Sequence, residues 1–326
     1  MRFPKKRTLG PFFKVLPFLI VLIFFIAYGT LSVVRHNNYQ SFGYDLGINS
    51  QTVWKYSNFQ TPISTISSLP DKPKYYQHVE LIYALISPAY WFWESRKMLL
   101  LLEIGFICSG ALAVFLLARN KKLKYSLSIA LMIGYLGFYG VQNALWFDVH
   151  SASFAAAFLA WFLFFISIKK VKYALLFFLL AITAKENIAL LTGSIGLIYL
   201  YKRLDRFSLL ILLLSVFYLL FIFLIYFPHI IHVSYPYRNE SGLLSNLNPV
   251  YLVNTQEKIT TIFYSIFSYG FIPLLNPAYL FPVLAHFFTF FVISSDLTGA
   301  QGIFMHYRVT LAPLLSWATI ISIVKF

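Results

Sequence analysis

One carboxylate, Asp45, stands between Tyr44 and Leu46-Gly47 in the stretch FGYDLGINSQTVW, residues 42–54. A lone acid in that setting has two readings. It is a general base that takes a proton from a hydroxyl nucleophile, or it is an ordinary solvated loop residue. The residues that could work with it recur at four further places. His78 and Glu80 lie two apart. WFDVHS, residues 146–151, brings Asp148 and His150. TAKEN, residues 183–187, sets Lys185 beside Glu186 inside an apolar stretch. MHYR, residues 305–308, brings His306, Tyr307 and Arg308.

Each group has a chemical use and a plainer one. Adjacent side chains on a helix point about 100° apart, so Lys185 and Glu186 must each meet something else. A lysine beside a helix start suits a phosphate, and an arginine can grip one bidentately. Against this, Lys185 could snorkel to water from a hairpin tip. Asp148 could cap the following helix, and Arg308 could anchor the last helix at an interface. No His-x-x-x-His or cysteine pair fixes a metal. The spacing leaves open a divalent ion held by Asp45, Asp148 and a histidine. No other cofactor is implied.

The elements that must carry these residues are apolar. The chain has 326 residues, 59% hydrophobic and 11% charged, with 35 Phe and 23 Tyr. Ordinary soluble domains are about a quarter charged. Apolar runs near bilayer length recur, so the expectation is an all-α polytopic transmembrane bundle of about ten spans. These fall at about 12–34, 97–118, 125–145, 151–168, 172–185, 188–201, 207–227, 259–275, 278–294 and 309–326, in one domain covering 1–326. The arms 172–185 and 188–201 are short and read as a hairpin with Lys185 near its tip. Two long outer loops follow from this, 35–96 and 228–258. The run 79–93, interrupted by Pro88, is too short to cross and reads as interfacial or re-entrant. Cys108 has no partner for an intrachain disulfide.

Charge sets the expected orientation. Sixteen of the 26 basic residues fall in inner segments, against one acid, Asp205; the other ten bases and ten acids cancel. The excess of +15 therefore obeys the positive-inside rule and gives no reason to invoke nucleic acid. Both termini are expected in the cytoplasm, in the cytoplasmic membrane, with Asp45 facing outward. The basic loops would touch anionic lipid.

Taken in order, YDLGINSQTVW, His78 before the Pro88 run, WFDVHSASFAAAF, TAKEN and HYR before a last span resemble the membrane family called domain of unknown function 2079. That family in turn resembles the GT-C glycosyltransferases, polytopic enzymes that use polyprenyl-phosphate sugars. The resemblance implies a GT-C-like fold and sugar transfer to a glycan, lipid or protein acceptor hydroxyl at the outer face. It implies Asp45 as the base and Lys185 and Arg308 as phosphate contacts, with Arg238 a further candidate. His78, Glu80, Asp148, His150, Glu186, His306 and Tyr307 would line the sugar pocket or orient Asp45. Many GT-C enzymes have two adjacent acids in the first outer loop; here Asp45 stands alone. The competing reading is a transporter or lipid flippase, with intramembrane Lys and Glu as a proton relay.

Overall fold

The computed structural model describes residues 11–69, 71–235, 249–293 and 299–326. Those residues form helices and connecting turns, and the β-type pairing among them is an isolated bridge between Ile63 and Pro73. In chain order the α-helices are α1 (Pro11–Asn37), α2 (Gly43–Ser57), α3 (Ile82–Ile86), α4 (Arg96–Asn120), α5 (Tyr125–Leu136), α6 (Tyr139–Trp146) and α7 (Ser151–Ser167). They continue with α8 (Val171–Ala184), α9 (Ile188–Arg203), α10 (Arg206–Leu220), α11 (Gln256–Phe267), α12 (Phe281–Phe288) and α13 (Leu311–Lys325).

Local chemistry explains where several of them start. Ser95 Oγ accepts from the Lys97 N–H at the head of α4. Asp205 Oδ1 accepts from the Ser208 N–H at the head of α10. Thr255 Oγ1 accepts from the Lys258 N–H at the head of α11. Each side chain satisfies a backbone donor that has no partner within its own helix. Before α10, Leu204 takes a left-handed φ of 50°, which ends α9.

The helix α7 sits at the centre. It packs against α4, α8 and α13, and its Ala155, Ala156, Ala157 and Ala160 are buried. Small residues let neighbouring backbones approach closely, as they do in membrane bundles. Gly110 of α4 shows the approach: a Cβ there would lie 3.1 Å from the Ala157 Cα. The outside is the reverse. Phe18, Leu22, Ile23 and Ile26 of α1 are exposed, as are Leu213, Phe217 and Leu220 of α10. Apolar surface of that extent fits lipid rather than water.

Among the described residues four segments are long and apolar enough to cross a membrane: Phe13–Asn37, Arg96–Asn120, Arg206–Ile230 and His306–Lys325. Ser151–Ser167, Val171–Ala184 and Pro277–Val292 are shorter apolar helices. Two expected spans differ in form. The run 125–145 is two helices, because Phe138 adopts an extended backbone between α5 and α6. The run 259–275 is the amphipathic α11 followed by a 3-10 turn, Ile272–Leu275. Helix α11 buries its polar face. Lys258 donates to the carbonyls of Tyr251 and Phe291 and to Asn254 Oδ1 at 2.7–3.0 Å, while Ile259, Phe263 and Phe267 face out. The run 79–93 forms α3 and a 3-10 turn, Ser87–Trp91, with Pro88 in its first turn. The TAKEN hairpin forms as its sequence suggests: α8 stops at Ala184, Lys185 is extended, and α9 starts at Ile188.

Candidate functional site

Five chain segments converge on one cavity of about 430 Å³. They are the first turns of α2, the loop before α3, the α6–α7 junction, the α8–α9 tip and the turn before α13. Seven of the residues singled out from sequence line it: Asp45, His78, Glu80, His150, Lys185, His306 and Tyr307. One wall is apolar, formed by Leu190, Leu219, Phe223, Phe288 and Phe290.

Asp45 lies in the first turn of α2, where helix N-termini favour a negative charge. Its side chain keeps 37% of its exposure, and its carboxylate lies 3.9 Å from His150 Nε2. His150 is oriented from behind. Its Nδ1–H donates to the Asp148 carbonyl at 3.0 Å, which leaves Nε2 toward Asp45. Its ring stacks on His306 with centroids 3.6 Å apart and planes 12° from parallel. Burial pushes the His150 imidazole down to about 4; Lys185 adds to the push and Asp45 opposes it. His150 is therefore neutral at pH 7.

The second carboxylate in the cavity is Glu80. Its Oε1 accepts from Ser151 Oγ at 2.6 Å, and its Oε2 lies 3.1 Å from Lys74 Nζ. Burial alone would raise its pKa. The charges of Lys74, His78 and Lys185 and the Ser151 hydroxyl outweigh that and hold it at about 2.

Glu186 is fully buried behind the cavity, not in its wall. Its Oε1 accepts from His78 Nδ1 and Tyr235 OH, both at 2.6 Å, and its Oε2 accepts from the Val79 N–H at 3.1 Å. Burial would raise this acid too, but these donors, with His78 and Lys185 nearby, hold it at about 2. Burial and the Lys185 charge push His78 down. An ionised Glu186 thus fixes the His78 imidazole through its Nδ1. Lys185, extended between α8 and α9, lines the cavity whereas Glu186 does not. Lys185 is half-buried there, and among the described residues it forms neither a hydrogen bond nor an ion pair.

Asp148 and Arg308 are placed differently from the expectation. Asp148 does not line the cavity and does not cap α7. Its backbone is left-handed, φ 68°, and its buried carboxylate lies away from the cavity. There Oδ2 accepts from the Phe42 N–H at 2.7 Å and Oδ1 lies 3.8 Å from Arg35. Among the described residues no three His, Cys, Asp or Glu side chains group closely enough to hold a metal. Arg308 is fully buried and faces away from the cavity. Its guanidinium donates to the carbonyls of Gly302 and Ala300 and meets His286 Nε2 at 2.9 Å. It is neither an interfacial anchor nor within reach of a ligand in the cavity. Arg238 lies outside the described residues.

Sequence reasoning passed over three participants. Glu103 of α4 accepts the His150 N–H at 3.1 Å and so caps α7 from a neighbouring helix. His286 orients Arg308, and Lys74 pairs with Glu80. The first two carried a signal, an ionisable residue inside an apolar run. Lys74 carried none, since a lysine in a polar loop is ordinary.

A helical chain with lipid-suited outer helices and its ionisable groups gathered at one internal cavity is a membrane protein with a candidate site at one end of its bundle. The chain belongs to the predicted membrane protein family DUF2079, whose model matches residues 35–325. No curated protein and no solved structure matches the chain.

Proposed function

We propose that the protein is a GT-C-like glycosyltransferase of the cytoplasmic membrane, moving a sugar from a polyprenyl-phosphate donor to an acceptor hydroxyl at the outer face. The observation that carries this reading is the pairing, in one cavity, of an accessible carboxylate with an unpaired cation. Asp45 keeps a third of its exposure and Lys185 has no acid partner among the described residues. An ammonium left unpaired in a half-buried site invites an anion. The apolar wall of Leu219, Phe223, Phe288 and Phe290 suits the lipid of such a donor.

In this reaction Asp45 takes the proton of the acceptor hydroxyl as its oxygen bonds to the anomeric carbon. The bond from that carbon to the phosphate oxygen breaks, and Lys185 stabilises the departing phosphate. The His150 ring lies beside Asp45, its Nε2 3.9 Å from the carboxylate. Lys74 is already paired with Glu80, so Lys185 is the principal phosphate contact, and Arg308 and Asp148 serve the frame. On this reading the shorter helices cross the membrane beside the four long ones, to give about ten spans with cytoplasmic termini.

The test is direct. Purified protein in proteoliposomes is given polyprenyl-phosphate sugars labelled in the sugar, with envelope extract as the acceptor source. Label should move to an acceptor and free polyprenyl phosphate should appear. No transfer from any donor, together with flux of intact lipid across the vesicle that Lys185→Ala abolishes, establishes the transporter reading instead.

A further inference from the structure

A second concavity, about 800 Å³, lies apart from the cavity, between α1, α2 and the start of α4. Helix α2 divides the two. Asp45, Ile48 and Asn49 face the cavity, while Gln51, Trp54 and Lys55 face the groove, roughly 120° further round the helix. We propose that this groove binds the phosphate-bearing headgroup of an anionic membrane lipid.

Its position in the fold is the first argument. His36, at the end of α1, and Arg96, at the start of α4, both line it. These helices belong to segments long enough to span a membrane. The end of one meets the start of the other, so they run antiparallel and the groove sits where both leave the bilayer. The rim supports the same level. Trp91, Phe92 and Trp93, immediately before α4, are 60%, 87% and 44% exposed, and Phe59 beside Trp91 is 88% exposed. Aromatic side chains concentrate at that boundary.

Charge is the second argument. Lys55 and Arg96 line the groove, and Lys97 follows Arg96. Arg96 is exposed and forms no ion pair among the described residues. The one acid there, Glu94, accepts the Trp54 indole N–H at 2.8 Å. Gln51 is fixed by bonds to the Thr65 N–H and hydroxyl, and Ser50 by the Tyr90 hydroxyl. The walls are thus set: Lys55 Nζ donates to Gln60 Oε1 at 3.0 Å and keeps further N–H donors, and Arg96 is left to meet a phosphate. Basic side chains at this level attract anionic headgroups, and a guanidinium can take two phosphate oxygens at once.

The full chain is reconstituted in nanodiscs of equal phosphatidylglycerol and phosphatidylcholine, extracted gently, and weighed by native mass spectrometry with its retained lipid. Wild type should retain phosphatidylglycerol about tenfold over phosphatidylcholine. Lys55→Gln with Arg96→Gln should lose that preference, and Arg96→Lys alone should keep most of it, which separates charge from folding. Benzoylphenylalanine replacing Gln51 should crosslink phosphatidylglycerol. No preference in wild type, or an unchanged preference in the double variant, overturns the proposal. Displacement of the lipid by millimolar inorganic phosphate overturns the lipid assignment in favour of a free anion.

Discussion

Asp148 Oδ2 accepts the backbone N–H of Phe42 at 2.7 Å, across 106 residues of chain. Phe42 is the residue before α2, and Asp45 lies three residues on, so the acid at the α6–α7 junction holds the start of the helix that carries the candidate base. Asn49 Nδ2 donates to the Val149 carbonyl at 2.9 Å one turn later, and Phe42 packs on Phe147 with centroids 4.3 Å apart. The WFDVH stretch is therefore a cradle for α2. Asp148→Ala removes the acceptor and leaves buried Arg35 without its carboxylate. It should destabilise the fold by about 2–3 kcal/mol, read as a lower melting temperature in detergent. Asp148→Asn, which keeps an acceptor oxygen, should lose less.

Lys185 and Arg308 should separate cleanly. Lys185→Gln orphans no hydrogen-bond partner and removes only a charge near Glu80 and Glu186, so its melting temperature should fall far less than that of Arg308→Gln, while the affinity for a polyprenyl-phosphate probe falls at least tenfold, the loss of one charge-assisted contact, about 1.5–3 kcal/mol. Arg308→Gln orphans the Gly302 and Ala300 carbonyls and His286 in the core. It should cost about 3–5 kcal/mol of stability. Equal melting temperatures for the two variants would contradict the placement.

Acid should weaken the protein in two stages. His150 is pushed down to about 4 from an ordinary value of 6.5. The unfolded chain thus binds more protons between those values, and stability falls as pH drops from about 6.5 toward 4. Glu80 and Glu186 are held at about 2 from 4.5, so their contribution is complete above about 4.5 and is lost as pH falls toward 2. His150→Gln should shrink the upper stage, to which the depressed His78 also contributes, and Glu186→Gln should shrink the lower, which Glu80 shares, in melting temperatures measured across pH.

The packing of α6 on the turn before α13 depends on Gly140. A Cβ there would come within 2.7 Å of the Arg308 carbonyl carbon and oxygen. Gly140→Ala should therefore destabilise by about 1–3 kcal/mol through overpacking. The same substitution at Gly134, where a Cβ meets nothing within 4 Å, should be stabilising or neutral.

Much of this was legible in the sequence, and the physics says which part. Apolar length placed α4, α7, α8 and α13 within two residues at each end, because burial in lipid or in a bundle demands continuous apolar surface. The isolated polar groups pointed to a common site, because an ionisable residue in such surroundings needs a partner. Direction was not legible. Whether Asp148 turns into the cavity or out to Phe42 depends on one left-handed backbone angle, and whether Arg308 faces ligand or core depends on carbonyls at residues 300 and 302. Nor could spacing show that Glu80, 35 residues beyond Asp45, is the second acid of the cavity. The break at Phe138 follows Gly137, where α5 ends, a signal that the single-span expectation passed over.

The central claim rests on Asp45 as the base. With donor lipid and acceptor supplied to reconstituted protein, Asp45→Asn should lower turnover by about 10²- to 10⁴-fold. Its donor affinity and melting temperature should stay at wild-type values. Turnover equal to wild type in Asp45→Asn would contradict the account.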